Sequence, residues 1–311
     1  MKTAFNRRTV ILAAALGAGT TLLQACGGGD DEPRRNIVEL AKNTPERSIL
    51  VEAVVAADLA ATLSTGTLTV FAPTNAAFAA LLTELGVSKE ALLANKPLLT
   101  AVLTYHVLGS TVARADVPLG KAITPVSGGF FKIESNNGLK ITDGRNRVSN
   151  ITATDIQASN GVVHLVDRVL LPADKDIVAT ASALPDFSIL VEAVVAAGLA
   201  GTLQGTGPFT VFAPTNAAFA ALLTELGVSK AALLADTVLL TKVLTYHVVP
   251  ARVLKAEVPV NTAIATVQGQ SFTVNSSLVI TDQNMRTSSI VATDVFTSNG
   301  VIHVVDRKSV V

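Results

Sequence analysis

The chain has 311 residues, with 24 Lys and Arg against 24 Asp and Glu, and its formal net charge is +0 at pH 7. A nucleic-acid-binding surface needs an excess of cationic side chains, so this balance argues against a nucleic-acid partner. Cys26 is the single cysteine, and no disulfide can therefore form within the chain. Stability must come from packed cores, which domains of about 140 residues are large enough to form.

The first 26 residues have the pattern of a secretory signal peptide. Basic residues, among them Arg7 and Arg8, precede an apolar stretch that runs from Val10 to about Leu23. This stretch is too short and too interrupted by glycine to predict a membrane-spanning helix. The paired arginines also resemble a twin-arginine signal, so export by the Sec or the Tat route stays open.

Residues 23–26, Leu-Gln-Ala-Cys, resemble the bacterial lipobox. The resemblance implies that Cys26 is acylated and anchors the mature protein in a membrane; a free thiol or an ordinary cleavage site is the alternative. Residues 27–35, rich in Gly and acidic side chains, predict a flexible tether. Gly27, in place of Asp, favours the outer membrane by the same resemblance. We therefore expect a lipid-anchored protein of the cell envelope, at the outer membrane or the periplasmic face.

The rest of the chain is a duplicated sequence. Residues 69–89 recur without a change at 210–230, and the segment SNGVVHLVDR at 159–168 returns as SNGVIHVVDR at 298–307. A period of about 140 residues matches one whole domain rather than a solenoid unit. We therefore expect two domains, at 36–172 and 173–311.

Each repeat opens with a helical pattern. In the first repeat, apolar residues near position 40 predict a helix, and Ser48 is expected to cap a second helix with residues 49, 50, 53 and 54 on its buried face. Residues 63–71 are short and β-prone, and predict a strand that leads to Pro73.

Three more helices are predicted between Pro73 and Tyr105. Thr74 or Asn75 is expected to cap the first of them, and Gly86 is expected to end it. Ser88 is placed to begin the second, and apolar residues at 98–105 predict the third. The Pro-Thr-Asn corner at 73–75 is therefore expected to end the strand and cap the helix, and a ligand-binding loop is the alternative.

From residue 106 onward, short β-prone runs alternate with Gly, Asn, Asp and Pro. Val112 and Val117 fall in such runs, and Asn137-Gly138 predicts a tight hairpin turn. The alternation at 162–166 predicts a closing strand. Helices followed by strands indicate an α+β fold rather than a βαβ fold.

TVFAPTNAAF at 69–78, a Tyr-His pair at 105–106 and SNGVVHLVD at 159–167 together resemble the fasciclin (FAS1) domain family. The first and last segments are hallmarks of that family, and all three occur in order in both repeats. The resemblance implies two tandem FAS1-like domains, each with a β-sandwich or wedge-like sheet flanked by several helices. It also implies a role in adhesion or matrix interaction at the cell surface.

The Tyr-His pairs are the candidate binding residues, because in eukaryotic relatives the segment around them is proposed to contact integrins. This resemblance marks Tyr105, His106, Tyr246 and His247. The alternative is that they are buried and tie a helix to the sheet through hydrogen bonds, and we favour it.

The remaining motifs argue against an enzyme. The sequence has no nucleophile elbow, Walker loop, dinucleotide loop or His-Glu-x-x-His motif. Two histidines per repeat are too few for a zinc site, so neither a metal nor a cofactor is expected. Asp155 and Asp294 could pair with His164 and His303, but such pairs alone do not make a catalytic triad.

Three functional hypotheses follow. The first is a non-enzymatic, lipid-anchored adhesion protein whose partner is an extracellular matrix protein or a polysaccharide. The second is a periplasmic small-ligand-binding protein, which requires a deep apolar cavity near Tyr105 or Tyr246. The third is a hydrolase built on His106 or His164, which requires a Ser or Asp side chain within hydrogen-bond reach of the ring.

Overall fold

The computed structural model describes residues 34–307, so the predicted signal peptide, Cys26 and most of the predicted tether lie outside the described residues. The first repeat contributes six helices and seven strands within that range, and the second repeats this order. The helices of the first repeat are α1 (Ile37–Lys42), α2 (Ser48–Ala56), α3 (Ala60–Leu63), α4 (Asn75–Leu85), α5 (Lys89–Ala94) and α6 (Lys96–Tyr105). Its strands are β1 (Leu68–Pro73), β2 (Val107–Leu108), β3 (Ala122–Ile123), β4 (Phe131–Ser135), β5 (Leu139–Thr142), β6 (Val148–Ala158) and β7 (Gly161–Val166).

The second repeat has the same elements at matching positions. Its helices are α7 (Ile177–Ser182), α8 (Ser188–Ala196), α9 (Ala200–Leu203), α10 (Asn216–Leu226), α11 (Lys230–Ala235) and α12 (Thr237–Tyr246). Its strands are β8 (Phe209–Pro214), β9 (Val248–Val249), β10 (Ile264–Ala265), β11 (Ser271–Val274), β12 (Val279–Thr281), β13 (Thr287–Thr297) and β14 (Gly300–Val305). No helix within residues 34–307 is long and apolar enough to cross a membrane.

Each repeat forms one seven-stranded sheet, ordered β2-β1-β7-β6-β5-β4-β3 in the first and β9-β8-β14-β13-β12-β11-β10 in the second. β1 and β7 are parallel, with Val70 opposite Val163, and the other pairs are antiparallel. β6 pairs with β5 near its start and with β7 along the rest, and its register shifts twice between Ile151 and Ile156. Such shifts bend a strand, so the sheet curls.

Each curled sheet has two cores. In the first repeat, the helices pack on one side of the β1 and β7 region, around residues such as Phe78, Leu99 and Val163. The second core fills the curl, around Phe71 and Phe131. The second repeat has the same pair of cores. The α+β class is thus confirmed, with a curled seven-stranded sheet and flanking helices in each repeat.

Three local predictions were wrong. Ser48 was expected to cap α2, but its side chain makes no such bond; the Oδ1 atom of Asn75 accepts from the Ile49 amide at 3.0 Å instead. Leu63 was expected to start a strand, but it ends α3 and β1 begins at Leu68. Val112 and Val117 likewise lie outside the strands. Contacts with residues distant in the sequence determine where these helices and strands begin and end.

The other helix signals are confirmed. Thr74 caps α4 by accepting from the Ala77 amide, and Gly86 ends α4 with a left-handed backbone at φ 65°. Ser88 caps α5 in the same manner as Thr74 caps α4. The Pro-Thr-Asn corner therefore supplies caps to two helices, α4 through Thr74 and α2 through Asn75, which is the structural role that the sequence predicts.

Candidate functional site

Tyr105 lies at the end of α6 and is fully buried in the curl of the first sheet. Its hydroxyl donates a hydrogen bond of 2.5 Å to the carbonyl oxygen of Phe130, and its ring packs edge-on against Phe131 with 5.8 Å between centroids. Burial, and then the negative charge of Asp143, raises the pKa of the Tyr105 phenol well above its usual range. The phenol therefore stays protonated and joins the helix to β4.

His106 follows directly and is also buried. Its Nε2 atom accepts from the Leu170 amide at 2.8 Å, so the proton is on Nδ1, which donates to the carbonyl oxygen of Val102 at 2.7 Å. Burial lowers the pKa of His106 to about 4, and the bond to Val102 opposes this only in part. The neutral ring ties α6 to the segment after β7.

The second repeat places its pair in the same way. The Tyr246 hydroxyl donates to the carbonyl oxygen of Ser271 at 3.1 Å, and Nδ1 of His247 lies 2.8 Å from the carbonyl oxygen of Val243. Both side chains are buried. All four candidate contact residues thus lie in the cores, and this burial favours the structural role. A contact role for them stays a prediction.

His164 and His303 are buried in the closing strands. Nδ1 of His164 accepts from the backbone amide of Asp155 at 3.3 Å, and Nε2 donates to the carbonyl oxygen of Val112 at 2.9 Å. His303 makes the matching bonds, to the Asp294 amide and the Val253 carbonyl oxygen. The aspartates therefore meet these rings through their backbone and not their carboxylates.

The bonds of the histidine rings test the hydrolase hypothesis. The rings of His106 and His164 bond to backbone groups, and no Ser hydroxyl or Asp carboxylate is among their hydrogen-bond partners within residues 34–307. In the same range, no group of three or more His, Cys, Asp or Glu is placed to hold a metal ion. The geometry therefore gives the hydrolase hypothesis no support.

Small apolar cavities lie beside the histidines on the helix side of each sheet. One of about 70 Å³ lies between α7, α8, β8 and α12, next to Phe212 and His247. The matching one in the first repeat, next to Phe71 and His106, is about 30 Å³. Pockets for small organic ligands are usually 300–1,000 Å³. Both cavities are far smaller, so a small-ligand site in a deep apolar cavity near Tyr105 or Tyr246 is not favoured.

The two domains meet at a buried ion pair, which the sequence reasoning missed. The two repeats form one compact unit that starts at Arg34. Nζ of Lys132, on β4, lies 2.8 Å from Oδ2 of Asp294, on β13, and 3.0 Å from Oε1 of Glu134. The side chains of Lys132 and Asp294 are only 9% and 2% exposed. Burial alone would lower the pKa of Lys132, but the bonds to Asp294 and Glu134 outweigh it and the pKa is raised.

Apolar residues surround this ion pair. Phe130 of the first domain packs against Phe296 of the second, with 4.7 Å between ring centroids, and Leu254 joins the same buried cluster. The guanidinium of Arg252 lies over the Phe130 ring at 4.5 Å, a cation-π contact. Aromatic pairs and a desolvated cation make this a specific interface rather than a loose contact.

Hydrogen bonds of the Asn146 side chain and a close approach at Gly120 complete the interface. Asn146 accepts from the Phe296 amide at 2.6 Å and donates to its carbonyl oxygen at 3.1 Å, as a neighbouring strand would. At Gly120, an added Cβ would lie 2.9 Å from the Cβ of Ala256, so any other residue would push the domains apart. The signal for this surface in the sequence was the presence of Phe130 and Phe296 at positions where the other repeat has Ser271 and Gln157.

Comparison with known proteins agrees with this architecture. The fasciclin domain family matches residues 45–172 and 185–308, which is most of the chain. The chain belongs to the fasciclin domain family. The predicted resemblance is therefore confirmed in both repeats.

Relatives of this fasciclin-domain protein come from bacteria and animals. It is 42% identical to Protein sll1483 of Synechocystis over 146 residues, which is 46% of this chain and 77% of that protein. It is 28% identical over 251 residues to the transforming growth factor-beta-induced protein ig-h3 of Sus scrofa, covering 78% of this chain and 34% of ig-h3. This chain thus spans about a third of the length of ig-h3.

A solved structure also shows a likeness to this chain. It is described as a FAS1 domain pair from the insect cell adhesion molecule Fasciclin I. The two chains are 18% identical, the match covers 85% of this chain and 96% of that chain, and the TM-score is 0.43.

Proposed function

We propose that this protein is a non-enzymatic adhesion protein of the cell envelope that presents two FAS1 domains as one rigid body. The observation that carries the proposal is the buried interface around Lys132 and Asp294. Membership of the fasciclin family fits an adhesion or interaction role. The histidines, whose rings are bonded to backbone groups, leave no titratable ring exposed for catalysis within residues 34–307.

A fixed pair of modules suits adhesion for a physical reason. When two weak sites are linked, the second binding event becomes intramolecular, and the apparent affinity rises without any new contact. A rigid link keeps the spacing between the sites constant, so the pair favours a partner with repeated binding positions. Matrix proteins and polysaccharides both have such repeats. The partner in this proposal is therefore an extracellular matrix protein or a polysaccharide, and not a nucleic acid.

The proposal includes an anchor at Cys26. Acylation there would hold the protein in the membrane, and residues 27–35 would act as the tether between the lipid and the first domain. The lipobox-like sequence supports this part of the proposal, and so does the signal pattern before it. Export by Sec or Tat and a place at the outer membrane belong to the same proposal.

The test is adhesion of bacteria that express the full chain to surfaces coated with collagen or with alginate. Wild-type cells should adhere more than cells with an empty vector. Cys26→Ala should release the protein from the membrane fraction and abolish adhesion, while the purified domains keep the circular dichroism of the wild type. No adhesion above the empty vector on either surface would contradict the proposed role.

The same assay decides the role of the Tyr-His pairs. A folded double variant, His106→Ala with His247→Ala, should adhere as well as wild type if the rings are purely structural. Loss of adhesion in a variant whose circular dichroism is unchanged would instead make the Tyr-His junction a contact site.

A further inference from the structure

A polar cleft of about 770 Å³ lies between the two domains, beside the buried ion pair. The first domain contributes Thr142 and Arg145, at the turn between β5 and β6. The second contributes Lys175, just before α7, Thr180 within α7, and Thr293 on β13. The volume falls in the range of small-molecule sites, and such sites are common between domains.

Several polar groups in this cleft have no partner among residues 34–307. The hydroxyls of Thr142, Thr180 and Thr293 form no hydrogen bond with any residue in the described part of the chain, although all three are half-buried. The Nε atom of Arg145 is buried and has no acceptor among those residues. Because that atom is closed off from solvent, a ligand in the cleft would instead meet the three threonine hydroxyls.

The unpaired charge in the cleft is positive. Arg147 pairs with Glu84 at 2.9 Å, and Arg145 uses one terminal nitrogen to pair with Asp174 at 3.0 Å. Lys175 lines the same cleft and forms no ion pair with any residue between positions 34 and 307. A ligand that carries a carboxylate would therefore meet an available ammonium group beside the partly exposed guanidinium of Arg145.

We propose that this cleft binds a short acidic oligosaccharide. A uronate carboxylate would bond to Lys175 beside the Arg145 guanidinium, whose side chain is 31% exposed, and sugar hydroxyls would bond to the three threonine hydroxyls, which both donate and accept. Leu184, 39% exposed at the rim, offers an apolar surface for the carbon face of a sugar ring. The inference rests on the proposed role in matrix contact, for which it names the class of partner.

The experiment is calorimetric titration of the purified full chain with an alginate trisaccharide, with neutral maltotriose and with tri-glutamate as comparison probes. The alginate trisaccharide should bind, and maltotriose should bind at least about tenfold more weakly because it offers no carboxylate for the charged hydrogen bonds. Equal binding of the two sugars, or no binding of the alginate trisaccharide, would overturn the inference. Tri-glutamate binding as tightly would assign the cleft to acidic peptides and overturn it too.

Variants with matched controls test whether the trisaccharide binds in the cleft. Lys175→Ala should weaken alginate binding about tenfold and Thr293→Val about threefold, since each removes one bond to the sugar. Arg35→Ala and Thr154→Val change the matching positions of the first repeat, outside the cleft, and should leave binding unchanged. If the controls weaken binding as much as the cleft variants do, the site lies elsewhere.

The adhesion assay separates this inference from the proposed function. If cells adhere to alginate or collagen but the purified chain does not bind the trisaccharide, oligosaccharide binding in the cleft is contradicted and the adhesion role is not. Trisaccharide binding that Lys175→Ala weakens, without any cell adhesion, would support the cleft and contradict the adhesion role.

Discussion

The two repeats share their cores but differ where they meet. Residues 69–89 and 210–230 are identical, and both Tyr-His pairs make the same kind of bonds. At the interface, by contrast, Lys132 matches Thr273 in the other repeat, Phe130 matches Ser271, and Phe296 matches Gln157. The first domain uses its β4 surface and the second uses its β13 surface, so the contact joins two different faces.

This difference explains why the contact is made once. When an interface joins two different faces, each domain keeps one face free, and that free face could in principle bind a further domain in the same way. The free β11 surface of the second domain has Ser271 and Thr273 in place of Phe130 and Lys132, and the free β6 surface of the first has Gln157 in place of Phe296. Phe130, Lys132 and Phe296 thus have no counterpart on the faces left free, whereas Asp294 has its counterpart in Asp155. The sequence differences between the repeats therefore determine which face of each domain forms the interface.

The largest expected effect comes from the aromatic contact. Phe296→Ala should lower the free energy of unfolding by about 4 kcal/mol, because it removes a buried ring from a packed cluster. Gln157→Ala, at the matching exposed position of the first repeat, should change it by less than about 0.5 kcal/mol. Urea denaturation measures both. Similar values for the two variants would show that Phe296 is not part of a packed interface.

The ion pair should give the next effect. Asp294→Asn leaves Lys132 with only the partly exposed Glu134, and should cost about 3 kcal/mol. Asp155→Asn is the matched control, because the Asp155 carboxylate accepts from the Arg114 amide just as that of Asp294 accepts from the Lys255 amide, and it has no lysine. The control should cost less than about 0.5 kcal/mol in the same urea experiment. Equal costs would mean that the lysine contributes nothing.

The buried histidine makes stability depend on pH. The pKa of His106 is lowered to about 4 in the fold, so between pH 6.5 and 4 the unfolded chain binds more protons than the folded one. Stability should therefore fall as the pH falls through this window, by about 2 kcal/mol at pH 5 relative to pH 8.

A variant isolates this histidine from other titrating groups. His106→Gln removes the titration, and its loss of stability between pH 8 and pH 5 should be smaller than that of the wild type by about the same 2 kcal/mol. Denaturation midpoints at the two pH values provide the measurement. An unchanged pH dependence in the variant would exclude His106 as its source.

The smallest effect is expected at the Pro-Thr-Asn corner. Asn75→Ala removes the cap on the Ile49 amide and the bonds to Pro45 and Ser48, and should cost about 1.5 kcal/mol. Asn216→Ala should cost the same, because it makes the same three bonds in the second repeat. A loss of adhesion without a loss of stability would instead indicate a ligand loop.

Local signals made most elements predictable, and distant contacts account for the errors. Thr74, Gly86 and Ser88 act within a few residues of their own positions, so the sequence places those helix ends correctly. The cap on α2 comes from Asn75, 26 residues from the amide it satisfies. The parallel pairing of β1 with β7 joins residues more than 90 positions apart, as Val70 and Val163 show, and no periodicity in either segment reveals it.

The interface and the cleft were beyond sequence reasoning for a related reason. Lys132 and Asp294 are 162 positions apart, and each alone has the pattern of a polar residue on a strand. The cleft combines Thr142, Thr180 and Thr293, which no motif links. Burial of the Tyr-His pairs, in contrast, follows from their place between an apolar helix and a strand, and that alternative was favoured from the sequence.

The central claim is that the two domains move as one body, and residual dipolar couplings of the full chain in solution test it most directly. Backbone amide couplings from residues 36–172 and from residues 173–307 should fit a single alignment tensor with the interdomain orientation of this structure. Two tensors that differ in magnitude would show that the domains move independently, and would contradict the account.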